Sequence, residues 1–157
     1  MTTHRRSLVV IAGFVALILA LSTGATSISA SERNRKHRQL HATKNCKDNT
    51  GAAGSFCTIT SSSLPEIKVG SKVLYDQAAG IPAGMLDSNI VLDAGDGNRA
   101  VGRCTLDFAT HLGLCTVSDG TGDLAGFHAR VDVTYLGGRD WAWDGTYSFR
   151  RGGDKDR

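Results

Sequence analysis

Phe127-His-Ala-Arg-Val-Asp-Val-Thr-Tyr135 alternates without a fault. Phe127, Ala129, Val131, Val133 and Tyr135 are apolar or aromatic, and His128, Arg130, Asp132 and Thr134 stand between them. Successive side chains of an extended chain point to opposite faces, so this stretch reads as a strand with one buried and one wet face. The same period returns on both sides of it. Downstream, Trp141, Trp143, Tyr147 and Phe149 alternate with Ala142, Asp144, Thr146 and Ser148; upstream, Leu86, Ile90 and Leu92 form one apolar set, and Ile67, Val69, Val73 and Tyr75 another. Beyond residue 30, no stretch keeps a 3.6-residue apolar period for three turns. Asp96-Gly97-Asn98 and Asp119-Gly-Thr-Gly-Asp123 separate the runs, and Asp, Asn and Gly tolerate the positive φ that tight hairpins require. The pattern predicts an antiparallel all-β domain. Periodicity alone does not choose between a sandwich and a barrel, although closure would remove both sheet edges.

With 157 residues, the chain suits one compact domain. Its 41% hydrophobic and 21% charged residues exclude a disordered polymer and a multi-spanning membrane protein. The net charge of +3 is unevenly placed. Residues 31–47 hold six Lys and Arg against Glu32 alone, whereas 55–149 hold eleven acids against six bases. An acidic body repels phosphate backbones, so no nucleic-acid partner is expected.

The first residues carry an export signal. His4, Arg5 and Arg6 precede a charge-free apolar run from Ser7 to Leu21, followed by small and hydroxylic residues. That run, of about 15 residues, is short of the ~20 needed for a membrane-crossing helix. Arg5-Arg6 suggests a twin-arginine signal, but Leu8 and Val9 fit it poorly. The expected organisation is a signal peptide over 1–30, cleaved after Ala25, Ser27 or Ala30. A basic flexible arm over 31–54 follows, with the first cysteine, then a β domain over 55–149 and a disordered tail over 150–157. The expected location is secreted, extracellular or in the cell envelope. The arm suits weak contact with an anionic surface.

Four cysteines behind such a signal favour disulfides over metal ligation. Cys46 and Cys57, like Cys104 and Cys115, are eleven positions apart and bracket a turn-like centre. A hairpin centred between Ala109 and Thr110 sets Cys104 opposite Cys115 and Leu106 opposite Gly113, a register that a cross-strand disulfide fits. No metal or cofactor is expected. Asp93-Ala-Gly-Asp-Gly-Asn98 starts like a calcium loop, but Cys104 holds the twelfth position where a bidentate Glu is needed. Gly113-Leu-Cys-Thr-Val117 lacks the closing Gly of a nucleophile elbow. His111 and His128 fall on a turn and on a wet face, which argues against a catalytic thiol.

The segment Gly120-Thr-Gly-Asp-Leu-Ala-Gly-Phe-His-Ala129, with the alternating strand, short turn and aromatic strand after it, resembles the C-terminal half of the allene oxide cyclase and dirigent barrel superfamily. The hairpin Gly102-Arg-Cys-Thr-Leu106 to Leu114-Cys-Thr-Val117 looks like the preceding strand pair, so the likeness covers about 66–149. It implies an eight-stranded closed antiparallel barrel with an apolar cavity, assembled as a homodimer or homotrimer. Only Gly120, Gly122 and Gly126 carry over, as structural turn residues. The family's catalytic carboxylate has no matched position, although Asp87, Asp93 and Asp107 are available acids.

Tyr75, Tyr135, Trp141, Trp143 and Tyr147 fall on the apolar phase of their strands and are the candidates for lining such a cavity. The expected partner is a small hydrophobic molecule, with cyclisation or coupling steered by shape and exclusion of water if the protein is an isomerase or cyclase-like enzyme. The alternative is a non-catalytic ligand carrier or a cell-surface structural barrel. Polar groups inside the cavity distinguish the enzyme from a carrier, whose lining would be almost purely apolar.

Overall fold

The computed structural model describes residues 38–150. The expected signal peptide, the first part of the arm and nearly all of the tail lie outside these residues. The eight strands are β1 (Arg38–Asn45), β2 (Phe56–Ser62), β3 (Lys72–Tyr75), β4 (Met85–Asp93), β5 (Arg99–Asp107), β6 (Leu112–Ser118), β7 (Phe127–Gly137) and β8 (Asp140–Phe149). Each pairs antiparallel with the next, and β8 pairs with β1, so the sheet is a closed barrel. Pairing satisfies the backbone groups that an open sheet would expose at its edges.

Closure puts every strand's apolar phase on one common inner surface. In β7 and β8, Val131 stands opposite Gly145, Val133 opposite Trp143 and Tyr135 opposite Trp141. On the other flank of β8, Leu40 pairs with Gly145, Ala42 with Trp143 and Lys44 with Trp141. The outer phase of this seam is polar, and His41 there pairs with the Asp144 carboxylate directly across from it.

The two ends of the barrel differ. The end holding the β2–β3, β4–β5 and β6–β7 connections is stoppered by Leu64 and Ile67 from the first of these and by Leu124 from a 3₁₀ turn over Gly122–Leu124. Above this floor, Phe127 packs against Phe149 and Tyr147 with ring centroids 5.4 and 6.2 Å apart. At the opposite end, around the β1–β2, β3–β4, β5–β6 and β7–β8 connections, the interior side chains include the cysteines. These are too short to fill the space that aromatic rings occupy below.

The turn glycines have identifiable steric reasons. A Cβ on Gly120 would overlap the Leu124 carbonyl, and one on Gly126, at φ +74°, would overlap that of Arg150. Gly122, at φ +59°, lies against Asn98, whose side-chain oxygen accepts from the Asp123 N–H at 2.8 Å. Thr121 Oγ1 donates to the Gly97 carbonyl at 2.7 Å. These contacts tie the β6–β7 turn to the β4–β5 turn.

Both local disulfides form, Cys46–Cys57 and Cys104–Cys115, and Cys104 faces Cys115 across β5 and β6 with Leu106 opposite Gly113. The two bridges are compatible with an extracellular location. Closing each short loop contributes about 3 kcal/mol by restricting the unfolded chain. The double replacement Cys104→Ala with Cys115→Ala is therefore expected to lower stability by about 3 kcal/mol, read from the urea midpoint and slope.

Two expectations need correction. The arm predicted over 31–54 is not wholly outside the body, because Arg38–Asn45 is β1, the strand that closes the barrel. Its apolar signal is only Leu40 and Ala42, set among bases that read as a solvated arm. The strand expected from Ile67 to Tyr75 is reduced to Lys72–Tyr75. Ile67 belongs to the stopper, and Val69 is 70% exposed rather than on an inner face.

Candidate functional site

Lys44 continues the inward phase of Leu40 and Ala42, so β1 carries an ammonium-bearing chain into the barrel. It is only 3% exposed. Its Nζ donates to Tyr75 Oη at 2.7 Å and lies 4.5 Å from the centre of the Trp143 ring. Among the described residues no ion pair includes Lys44, so its charge has a phenol and a ring face for company but no carboxylate. Loss of hydration lowers its pKa to about 7. The same burial pushes the Tyr75 phenol up, so Tyr75 keeps its proton at neutral pH.

A cavity of about 290 Å³ adjoins this pair. Tyr75, Leu86, Leu106, Val133 and Trp141 give it apolar walls, and both disulfides contribute surface. Asn49 and Thr50 from the β1–β2 connection and Phe108 beside the β5–β6 turn also line it. Thr50 and Phe108 are exposed whereas Cys57, Cys104 and Cys115 are buried, so the chamber opens at the end opposite the stopper. At roughly 30 Å³ for a water-sized group, it holds about ten non-hydrogen atoms.

The five aromatic candidates occupy four positions. Tyr135 sits at the rim, 36% exposed, with its ring 4.9 Å from Trp141 and its hydroxyl donating to the Gly138 carbonyl at 3.1 Å. Trp141 and Tyr75 line the cavity. Trp143 is 1% exposed and supports Lys44 from the core. Tyr147 packs with Phe127 and Phe149 toward the closed end, outside the cavity lining. The rim also brings His111, in the β5–β6 turn, within 4.9 Å of the Tyr135 ring.

The three available acids belong to the outer phase. Asp87 pairs with Arg103 at 2.7 Å and Asp93 with Arg99 at 2.9 Å. The Gly95 N–H and the Arg99 guanidinium hold Asp93 below its usual pKa. Asp107 accepts from the N–H groups of Thr110 and Ala109, which lower its pKa and close the β5–β6 turn. Among the described residues no group of three or more His, Cys, Asp or Glu side chains is placed to hold a metal ion.

Lys44 is the site residue that sequence reasoning missed. The available signal is that Leu40, Ala42 and Lys44 share one strand phase and lead directly to Cys46. A lysine continuing an apolar phase marks a buried amine, but only once the stretch is recognised as a strand. Compared with protein-family models, curated proteins and solved structures, the chain matches none.

Proposed function

We propose that this protein is an exported barrel of the allene oxide cyclase and dirigent type that binds a small hydrophobic molecule bearing one polar end. The observation that carries this reading is the Lys44–Tyr75 pair at an otherwise largely apolar chamber. The apolar part of a ligand would gain about 25 cal/mol for each Å² withdrawn from water. Its polar end would meet the ammonium or phenol, fixing its orientation. An almost purely apolar lining would suit a simple carrier. The buried amine and phenol instead favour a site that can polarise what it holds, and shape with exclusion of water would direct cyclisation or coupling. The apolar run over 7–21 behind basic residues, together with the two disulfides, supports export.

Octanol tests the chamber, because the chain's two tryptophans both lie at or beside it. Saturable quenching of tryptophan emission is expected. Leu106→Trp, which places a large ring on the cavity wall, is expected to weaken octanol binding at least tenfold when binding is followed by calorimetry. Absence of saturable quenching up to octanol's solubility would overturn the reading.

A further inference from the structure

We propose that Lys44 is a carbonyl-reactive amine that captures hydrophobic aldehydes as a Schiff base, with Tyr75 carrying the proton. This rests on the reading of the chamber as a hydrophobic ligand site and adds the chemical class of the ligand. Four features of the geometry converge on it. The amine is buried beside a cavity rather than projecting into solvent. Among the described residues no carboxylate forms an ion pair that would hold it as an ammonium. Its hydrogen bond runs from Nζ to Tyr75 Oη at 2.7 Å, which leaves the phenolic hydrogen available to a ligand oxygen. The Trp143 ring, 4.5 Å from Nζ, offers the cationic intermediates a π face.

The reaction balances with nothing but the two partners. The Lys44 lone pair forms a C–N bond at the carbonyl carbon as the C–O π bond breaks, and the oxygen takes the Tyr75 proton. The phenolate recovers a proton from the nitrogen, giving a neutral carbinolamine. A second proton from Tyr75 lets that hydroxyl leave as water while the C=N bond forms, and the iminium proton returns to Tyr75. The products are an imine and one water, and nothing is oxidised or reduced. A simple anion anchor would call for a permanently charged group. Burial makes Lys44 half neutral near pH 7. The neutral, nucleophilic share of Lys44 is then far larger than that of an exposed lysine.

Octanal with sodium cyanoborohydride at pH 7 tests the proposal on the intact folded protein. The expected product gains the mass of octanal less one oxygen atom, and peptide mapping places it on Lys44. Labelling there is expected at least tenfold above that at Lys47, Lys68 or Lys72. Tyr75→Phe is expected to slow Lys44 labelling at least tenfold at saturating octanal, a loss in the rate of the bound complex that weaker binding alone would not produce. Quenching by octanal without an adduct at Lys44 would overturn the Schiff-base proposal and leave the ligand chamber standing. Tighter binding of octanoate than of octanal, again without an adduct, would overturn it in favour of an anion anchor. Failure of octanal, octanol and octanoate alike to quench would overturn both readings. Equal labelling of Lys44 and the exposed lysines would also overturn the proposal, since it would mean that the barrel gives its amine no advantage.

Discussion

The wild-type barrel is expected to gain about 4 kcal/mol of folding stability between pH 7 and pH 10, relative to a Lys44→Met variant. In the unfolded chain Lys44 titrates at its ordinary value of 10.5, whereas in the barrel it titrates at about 7. Between those values the unfolded state binds more protons than the folded state, so stability rises with pH at about 1.4 kcal/mol per unit. Below about pH 7 both states are protonated and the full cost of the buried charge is present. Tyr75 acts in the opposite sense at the alkaline end. Its folded pKa is raised, so its contribution begins to be lost as pH passes the unfolded value of 10.0. The combined contribution of these two groups therefore rises from pH 7 and turns over once Tyr75 begins to ionise in the unfolded chain. Urea titrations of both proteins across this range check the prediction, because exposed groups common to the two cancel in the difference. At pH 7 itself, Lys44→Met removes a costly buried amine but leaves the Tyr75 hydroxyl without that partner, which costs about 1–3 kcal/mol. The net effect there is a gain of about 2 kcal/mol. Parallel pH profiles would show that Lys44 is not desolvated.

Trp143→Ala is expected to cost about 4 kcal/mol, the middle of the range for emptying a large aromatic core site. Trp143 is the largest side chain in the fully buried set, and it faces Ala42 on one neighbour and Val133 on the other. Neither neighbour is long enough to fill the space. The truncation would also remove the ring face beneath the Lys44 ammonium, which pushes the Lys44 transition to lower pH and extends the rising limb of the stability profile below pH 7. Trp143→Phe should cost less, about 1–2 kcal/mol. It keeps a ring under Nζ and removes the indole N–H, a buried donor with no hydrogen-bond partner among the described residues. Equal losses in the two variants would contradict the packing argument. Urea unfolding at pH 7 supplies the comparison, and repeating it at lower pH tests the coupling to Lys44.

Much of the architecture was legible because it is local. The alternation from Phe127 to Tyr135 appears as the inner and outer phases of β7. The eleven-residue cysteine spacing predicted the register in which Cys104 meets Cys115. Turn chemistry at Asp96-Gly97 and around Gly120 and Gly122 predicted the breaks between strands. What failed was also local in origin. Ile67 and Val69 alternate convincingly, yet one stoppers the barrel and the other faces solvent. Nothing within nine residues distinguishes those fates.

The amino-acid sequence by itself determined the all-β class, the phases of the strongest strands and the pairing of the cysteines. Each of these depends on side-chain alternation or on residues a few positions apart. Tertiary structure alone decided that the sheet closes, and that Arg38–Asn45 is the strand closing it. It also decided that Lys44 reaches Tyr75 and Trp143, from strands far away along the chain. The physical reason is that a strand's two faces are equivalent until its neighbours determine which one is enclosed. Pairing with β8 and β2 turned the phase of Leu40 and Ala42 inward, and that same phase carried a lysine out of water.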